Sequence, residues 1–444
     1  MRAFAHHHFP PSFLWGAALP GTPEETGLFN LASDGWVSNL KSKSGESSLQ
    51  RKFWLNLLDQ ASDSSLTSIR IHLDWRVLQP QQNKWNNQAI EFYNFLFAEM
   101  EKRDLRLVLT MMSGSPPAWF IKQGGWYEET CIQWFSQYTE KVVSSFGKYV
   151  DFWITLEDPI QTAMMFLGND GSVTGKKSGE LLLVLHNLMK AHKAAYKNIR
   201  REKSDGYISY ANWYWPAFFR RSENNKAGLT QNTLGKFHQF YEKGIIEFKQ
   251  GKLEIPDLVQ LRDYVALGFL RMAVVTPSGF IQPGSQMDLK HWDNDSVAAM
   301  ETEGIDQLIA ALKWARQLSL PIYITRHQIL LSDAAVRKRI IFKTIRTLWN
   351  FVNESWPIRG YFYHSLIDGN DFDSELINFT GCLDMNEETG EVVRRLSGEL
   401  YSEICRMQGI NSDLTISFVP ELYSEYFPGI GPRDLSMQMP EMEL

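Results

Sequence analysis

The sequence predicts a single (β/α)8 barrel. Three observations carry this: eight short strand-like runs, helical stripes between most of them, and a length of 444 residues that suits one barrel with long loops. Length alone also fits two or three domains, and the alternation alone also fits a doubly wound sheet. The runs fall at 13–19, 68–74, 105–111, 152–157, 206–213, 263–270, 320–326 and 359–367. Each is too short for a good helix. Several lack the polar alternation of a half-exposed strand, as strands covered on both faces do.

The intervening segments read as helices because their apolar residues recur at three- and four-residue spacing. Ile90, Tyr93, Phe97 and Met100 make one stripe, and Phe135, Tyr138, Val142 and Phe146 a second. Val336, Ile340, Ile345, Leu348 and Val352 make a third, with Asp333 placed as its N-cap. The charged and aromatic segment 216–256 interrupts the rhythm and is expected to form helical excursions above the barrel. No low-complexity linker or internal repeat divides the chain. The expected organisation is a barrel over residues 1–420, followed by a surface tail over 421–444 that is rich in Pro, Met and acids.

Composition excludes some functions. With 45 basic and 51 acidic side chains the formal charge is −6, which argues against nucleic-acid binding. No apolar run approaches the ~18 residues that suggest a membrane span. The first residues lack a basic-then-apolar leader pattern, so the expected location is cytoplasmic. Cys131, Cys382 and Cys405 are scattered and odd in number, which fits reduced thiols better than a disulfide frame or a zinc site. His6-His7-His8 reads as a surface tract, and Asp368, Asp371, Asp373 and Glu375 as a solvated acidic loop rather than a cation site. No metal or cofactor is expected.

A series of motifs resembles glycoside hydrolase family 1, the β-glucosidase and β-galactosidase family. Phe9-Pro10…Phe13-Leu14-Trp15-Gly16-Ala17-Ala18 resembles its opening F-P…F-x-W-G-x-A. Gly124-Gly125-Trp126 resembles its G-G-W, and Trp153-Ile154-Thr155-Leu156-Glu157-Asp158-Pro159 its W-I-T-F-N-E-P. His186-Asn187-Leu188…Ala191-His192…Ala194 resembles the helix H-N-L-L-x-A-H-x-x-A. Tyr323-Ile324-Thr325 resembles the start of Y-I-T-E-N-G, and Gly360 to Asp368 resembles G-Y-F-Y-W-S-L-I-D. Their order and spacing together carry the resemblance over nearly the whole chain. It implies the same barrel and a sugar-related site, but fold does not settle activity.

The site that the resemblance implies is altered. Family members are retaining β-glycosidases with two glutamates, one a general acid/base and the other a nucleophile about 5–5.5 Å away. Here the acid/base position falls on Asp158, one methylene shorter, and the nucleophile position on Arg326. A guanidinium has only donors and stays protonated, so it cannot attack an anomeric carbon. The neighbouring family Asn falls on Glu157, and the Arg that holds the nucleophile is retained as Arg70. Sugar-contacting positions fall on Pro23, Ser113, Gly268, His364, Asp371 and Phe372.

Two buried arginines are costly unless paired, so Arg70 and Arg326 are expected in an ionic cluster with Glu157 and Asp158, with Asp74 and Asp371 as further partners. The expected function is a degenerate family 1 homologue without normal retaining activity, acting as a ligand-binding or interaction protein. Its partner would be a sugar, a glycoside or an anionic small molecule. Alternatives are an active β-glycosidase using Asp158 as acid with a non-standard second carboxylate such as Asp371 or Glu157, and unrelated chemistry centred on Arg70, Arg326 and His327. His327, His186 and His192 read first as hydrogen-bonding or packing residues. Trp213, Trp215, Phe218 and Phe219 read equally as ligand surface or core.

Overall fold

Each expected run contributes one barrel strand. The computed structural model describes residues 6–19, 46–167, 176–203, 205–214, 217–218, 235–270, 273–276, 279–281, 294–329, 333–367, 381–385 and 392–428. The strands are β1 (Leu14–Ala18), β2 (Ser68–His72), β3 (Arg106–Thr110) and β4 (Val150–Ile154). β5 comes in two pieces, Tyr207–Ser209 and Ala211–Tyr214. It is followed by β6 (Val265–Leu270), β7 (Ile322–Gln328) and β8 (Ile358–His364). The sheet runs from the first piece of β5 through β4, β3, β2, β1, β8, β7 and β6 to the second piece of β5, and every pairing is parallel. Because β5 stands at both ends of that order, the sheet closes into a (β/α)8 barrel, not a doubly wound sheet.

Around it lie α1 (Glu46–Asp63), α2 (Asn87–Glu101), α3 (Thr130–Phe146), α4 (Pro159–Phe166), α5 (Lys176–Glu202), α6 (Asn294–Arg316), α7 (Ala334–Asn353) and α8 (Leu396–Met407). The α7 cap is the expected one: Asp333 Oδ1 accepts from the amides of Ala335 and Val336 at 2.7 and 3.0 Å. Strand pleating sorts the core into two layers. Ile69, Ile71, Leu107, Leu109 and Tyr361 pack outward among the helices. Leu14, Val108, Phe152, Ile154, Ala266 and Phe362 form a separate inner core. Gly16 makes room for that core, since a Cβ there would lie 2.3 Å from the Phe362 ring.

The described part of the segment 216–256 bears out its reading as helical excursions only in part. Residues 235–243 are helical, but Ile245–Phe248 and Gly251–Glu254 form an antiparallel hairpin. The first residues of the expected tail are packed. Leu422 and Phe427 are buried against the rest of the chain; residues 429–444 lie outside the described residues. His6–His8 pairs with Gly409–Asn411 as a short antiparallel strand, and His7 stacks on Trp349 with ring centroids 4.2 Å apart. Among the described residues, no helix is long and apolar enough to cross a membrane, and no group of His, Cys, Asp or Glu could hold a metal ion.

Candidate functional site

The inner face of the barrel turns polar at the carboxyl ends of its strands, the end where barrels of this type place their chemistry. Ser68, Arg70 and His72 occupy alternate positions of β2, on the face opposite the outward-packed Ile69 and Ile71. The Arg70 side chain is fully buried. Its Nε donates to Thr110 Oγ1 at 3.0 Å, Nη1 to the Thr325 carbonyl at 3.1 Å, and Nη2 to Glu157 Oε2. Every arm of the guanidinium is thereby engaged. Burial draws its pKa below the ordinary value, and the Glu157 charge opposes that shift.

Glu157 is the centre of the cluster. It stands three residues beyond β4 on backbone that still pairs with its neighbours: its amide donates to the Met112 carbonyl at 2.8 Å, and the Leu156 carbonyl accepts from the Ala211 amide at 2.9 Å. One carboxylate oxygen takes Arg70. The other takes the Trp213 indole N–H at 3.1 Å and lies 3.9 Å from Arg326 Nη1. Arg326 is therefore turned into the barrel mouth, where its guanidinium lies over the Trp213 ring, 5.0 Å from the centroid.

Register explains that stack. Trp213 on β5, Gly268 on β6 and Arg326 on β7 are side-by-side partners across three adjacent strands. Gly268 lets the indole lie across the middle strand: a Cβ there would sit 2.2 Å from Trp213 Cδ1. Gly268→Ala should therefore displace the ring from both Glu157 and Arg326, at a cost of about 1–3 kcal/mol. Urea unfolding checks this, and a change below a few tenths of a kcal/mol would contradict the packing described.

Asp158 does not join the cluster, which corrects the expected pairing. It is the N-cap of α4: Oδ1 accepts from the Gln161 amide at 2.9 Å, and its carbonyl accepts the first helical hydrogen bond, from Thr162. Tyr241, from the helical residues 235–243, donates its hydroxyl to the same Oδ1 at 2.7 Å. The Trp213 amide donates to Oδ2 at 2.9 Å. Both oxygens are thus engaged by groups that hold α4, β5 and the neighbouring helix together. Burial pushes the carboxyl up to about 6, against the lowering effect of those hydrogen bonds.

The other expected residues divide clearly. Asp74 caps the short helix Trp75–Leu78 and pairs with Arg76 at 3.1 Å, not with Arg70 or Arg326. His327 Nδ1 lies 2.8 Å from the hydroxyl of Tyr361, which packs in the outer layer. His192 bridges Thr155 Oγ1 and the Leu261 carbonyl at 2.7 and 2.8 Å, a packing role as expected. Trp213 proves to be both core and site. His364 ends β8 and is buried in the mouth, and Ser113 is half-buried just past β3. Pro23, Asp368, Asp371, Phe372, Asp373, Glu375, Trp215 and Phe219 lie outside the described residues.

The glycosyl hydrolase family 1 model matches residues 53–247, which run from α1 into the hairpin after the Tyr241 helix and include Arg70, Glu157 and Asp158. A 1,4-β-D-glucan glucohydrolase of Thermotoga neapolitana is 21% identical over 446 residues, covering 90% of this chain and 99% of the relative. Over the matched span the chain is similar to glycosyl hydrolase family 1. A β-galactosidase of Sulfolobus acidocaldarius is 24% identical over 78% of this chain and 75% of its own length. A solved family 1 β-glucosidase from Thermotoga maritima superposes with a TM-score of 0.67 at 18% identity, covering 91% of this chain and 99% of that one. The same enzyme in complex with deoxynojirimycin gives 0.66 at 19% identity over the same shares.

Some residues of this site escaped the sequence reading. His72 lies two residues beyond Arg70 on the same strand face, a signal that pleating alone supplies. Tyr241 sits more than eighty residues from Asp158 and has no local signal. The pair Asp158-Pro159 did carry one, because an Asp N-cap followed by Pro at the first helical position is a common helix start.

Asp158 leaves a measurable pH signature. Its folded pKa, about 6, is above the ordinary 3.8, so the folded state binds the extra proton between those values and this group's contribution to stability falls as pH rises through that window. The size is on the order of 3 kcal/mol. Buried His192 and half-buried His238 are both held down at about 4 by desolvation, and they act oppositely: stability is lost as pH falls below 6.5. Asp158→Asn should therefore make stability climb more steeply between pH 4.5 and 7 than it does in the wild type. Equal slopes in urea unfolding at the two pH values would contradict the buried, titrating cap.

Proposed function

We propose that this family 1 homologue does not perform retaining β-glycoside hydrolysis, and that its barrel mouth is a non-hydrolytic binding site. The observation that carries the reading is that neither catalytic position offers a usable carboxylate. Arg326 stands at the nucleophile position and leans on Trp213. Asp158, at the acid/base position, has both oxygens committed to Gln161, Tyr241 and Trp213. The nearby carboxylate of Glu157 is held by Arg70 and Trp213. Solved structures of similar fold are named as β-glucosidases, one of them in complex with deoxynojirimycin, so a ligand of sugar size suits the barrel.

One observation favours the rival reading of an active glycosidase with Asp158 as acid. A carboxyl raised to about 6 is partly protonated near neutral pH, as a general acid needs to be. Its geometry weighs against that role, because a fully buried cap has no face left for a leaving-group oxygen. The proposed location is cytoplasmic.

Assay of the wild type on chromogenic β-glucosides, β-galactosides and 6-phospho-β-glucosides tests the reading. The expected result is no turnover above background. Turnover that disappears in Asp158→Asn would overturn it.

A further inference from the structure

We propose that the floor of the barrel mouth recognises an oxyanion, a carboxylate or phosphate group carried by a small ligand, through His72 and His364 beside Arg326. This rests on the reading of the mouth as a non-hydrolytic binding site and names what that site takes.

The two histidines carry the argument. His72 is only 5% exposed and His364 only 4%. Among the described residues, neither ring nitrogen of His72 has a hydrogen-bond partner, and neither does Nδ1 of His364. Leaving such groups buried without partners costs about 1–3 kcal/mol each, so ordinary packing gives no reason to keep them. Apolar side chains of similar volume would seal a disused barrel at less cost.

The strand positions converge. His72 ends β2 and His364 ends β8, and the β1 strand between them pairs with both: Ala18 is the partner of His364 on one side and of Arg70 on the other. Both imidazoles lie within electrostatic reach of Arg70 and Arg326, and these cations together with burial hold both rings neutral. A neutral imidazole keeps one N–H donor. The floor thus combines imidazole N–H donors with guanidinium charge, and an oxyanion is the group that accepts from both. A neutral sugar hydroxyl would meet the same donors without the charge.

Binding of inorganic phosphate, acetate, D-glucuronate, glucose 6-phosphate and neutral glucose to the full chain, followed by calorimetry at constant ionic strength, tests the proposal. Phosphate and acetate as free ions, set beside the two sugar anions, distinguish which oxyanion is read and whether a sugar must carry it. At least one anion should bind, and glucose should not. His72→Phe and His364→Phe should each weaken that anion by about 10- to 100-fold, as expected for loss of a hydrogen bond to a charged group. The unliganded variants should unfold at or above the wild-type midpoint, because no protein hydrogen bond is lost. Should His72→Phe fail to fold, His72→Met serves the same purpose.

Failure of every anion to bind, equal binding in wild type and both variants, or binding of glucose as tight as that of its anionic forms would overturn the proposal. These outcomes leave the non-hydrolytic reading standing. That reading falls separately, through turnover in the glycosidase assay.

Discussion

Glu157→Gln should cost about 3–5 kcal/mol of folding stability, the loss expected when one partner of a buried ion pair is removed and the other stays charged. The fully buried Arg70 would keep its bonds to Thr110 and the Thr325 carbonyl, and Gln could still accept one N–H, but nothing would balance the guanidinium charge. The same substitution weakens the acceptor for the Trp213 indole and removes the carboxylate 3.9 Å from Arg326. Urea unfolding at neutral pH measures the loss. Arg70→Met combined with Glu157→Gln should be less destabilised than the sum of the single variants, with a coupling of about 0.5–3 kcal/mol. A single-variant loss below about 1 kcal/mol would mean that the pair behaves like a solvated surface bridge.

The second large effect is one that the resemblance makes tempting and the geometry forbids. Arg326→Glu would place a carboxylate where the resemblance puts the nucleophile, yet it should restore no glycosidase activity. Glycosidase-scale catalysis means rate accelerations of at least about 10⁶-fold, whereas the variant should stay within about tenfold of background. The new carboxylate would face Glu157, with Arg70 already committed to the existing one, so one of the two would be pushed toward protonation. No acid would be released either, since Asp158 would still cap α4 and hold Tyr241 and the Trp213 amide. Adding Asp158→Glu should not help, because the longer side chain would have to leave three donors behind. Turnover by Arg326→Glu about 1000-fold above the wild type would show that a working acid and sugar subsite survive, and would sink this account of Asp158.

Much of the architecture is legible in the sequence because strands and helices declare themselves locally. Eight apolar or β-branched runs became eight barrel strands, and the β2 run placed Arg70 on the inner face through pleating alone. The identities at the altered positions were legible too, including Arg326 and Asp158. What each residue does was not. The stack of Arg326 on Trp213 depends on the register of β5, β6 and β7 and on a glycine between them, a relation among residues 213, 268 and 326 that no local pattern contains. The fate of Asp158 turns on one residue: as the last position before α4 rather than a free position on the mouth, its carboxylate is spent on backbone amides and a tyrosine. Asp74 shows the same competition. Its charge reads as a partner for the buried arginines, but the amide two residues ahead captures it as a cap.

The proposal at the centre is that, among the described residues, the barrel mouth offers no carboxylate free to attack an anomeric carbon. The most direct measurement is intact-protein mass spectrometry after long incubation with 2,4-dinitrophenyl 2-deoxy-2-fluoro-β-glucoside and its galactoside counterpart. The activated leaving group removes the need for an acid, so the result reports on the nucleophile alone. The expected result is an unchanged protein mass. A mass increase equal to one fluoroglycosyl group, mapped to a carboxylate in the barrel mouth, would contradict the claim.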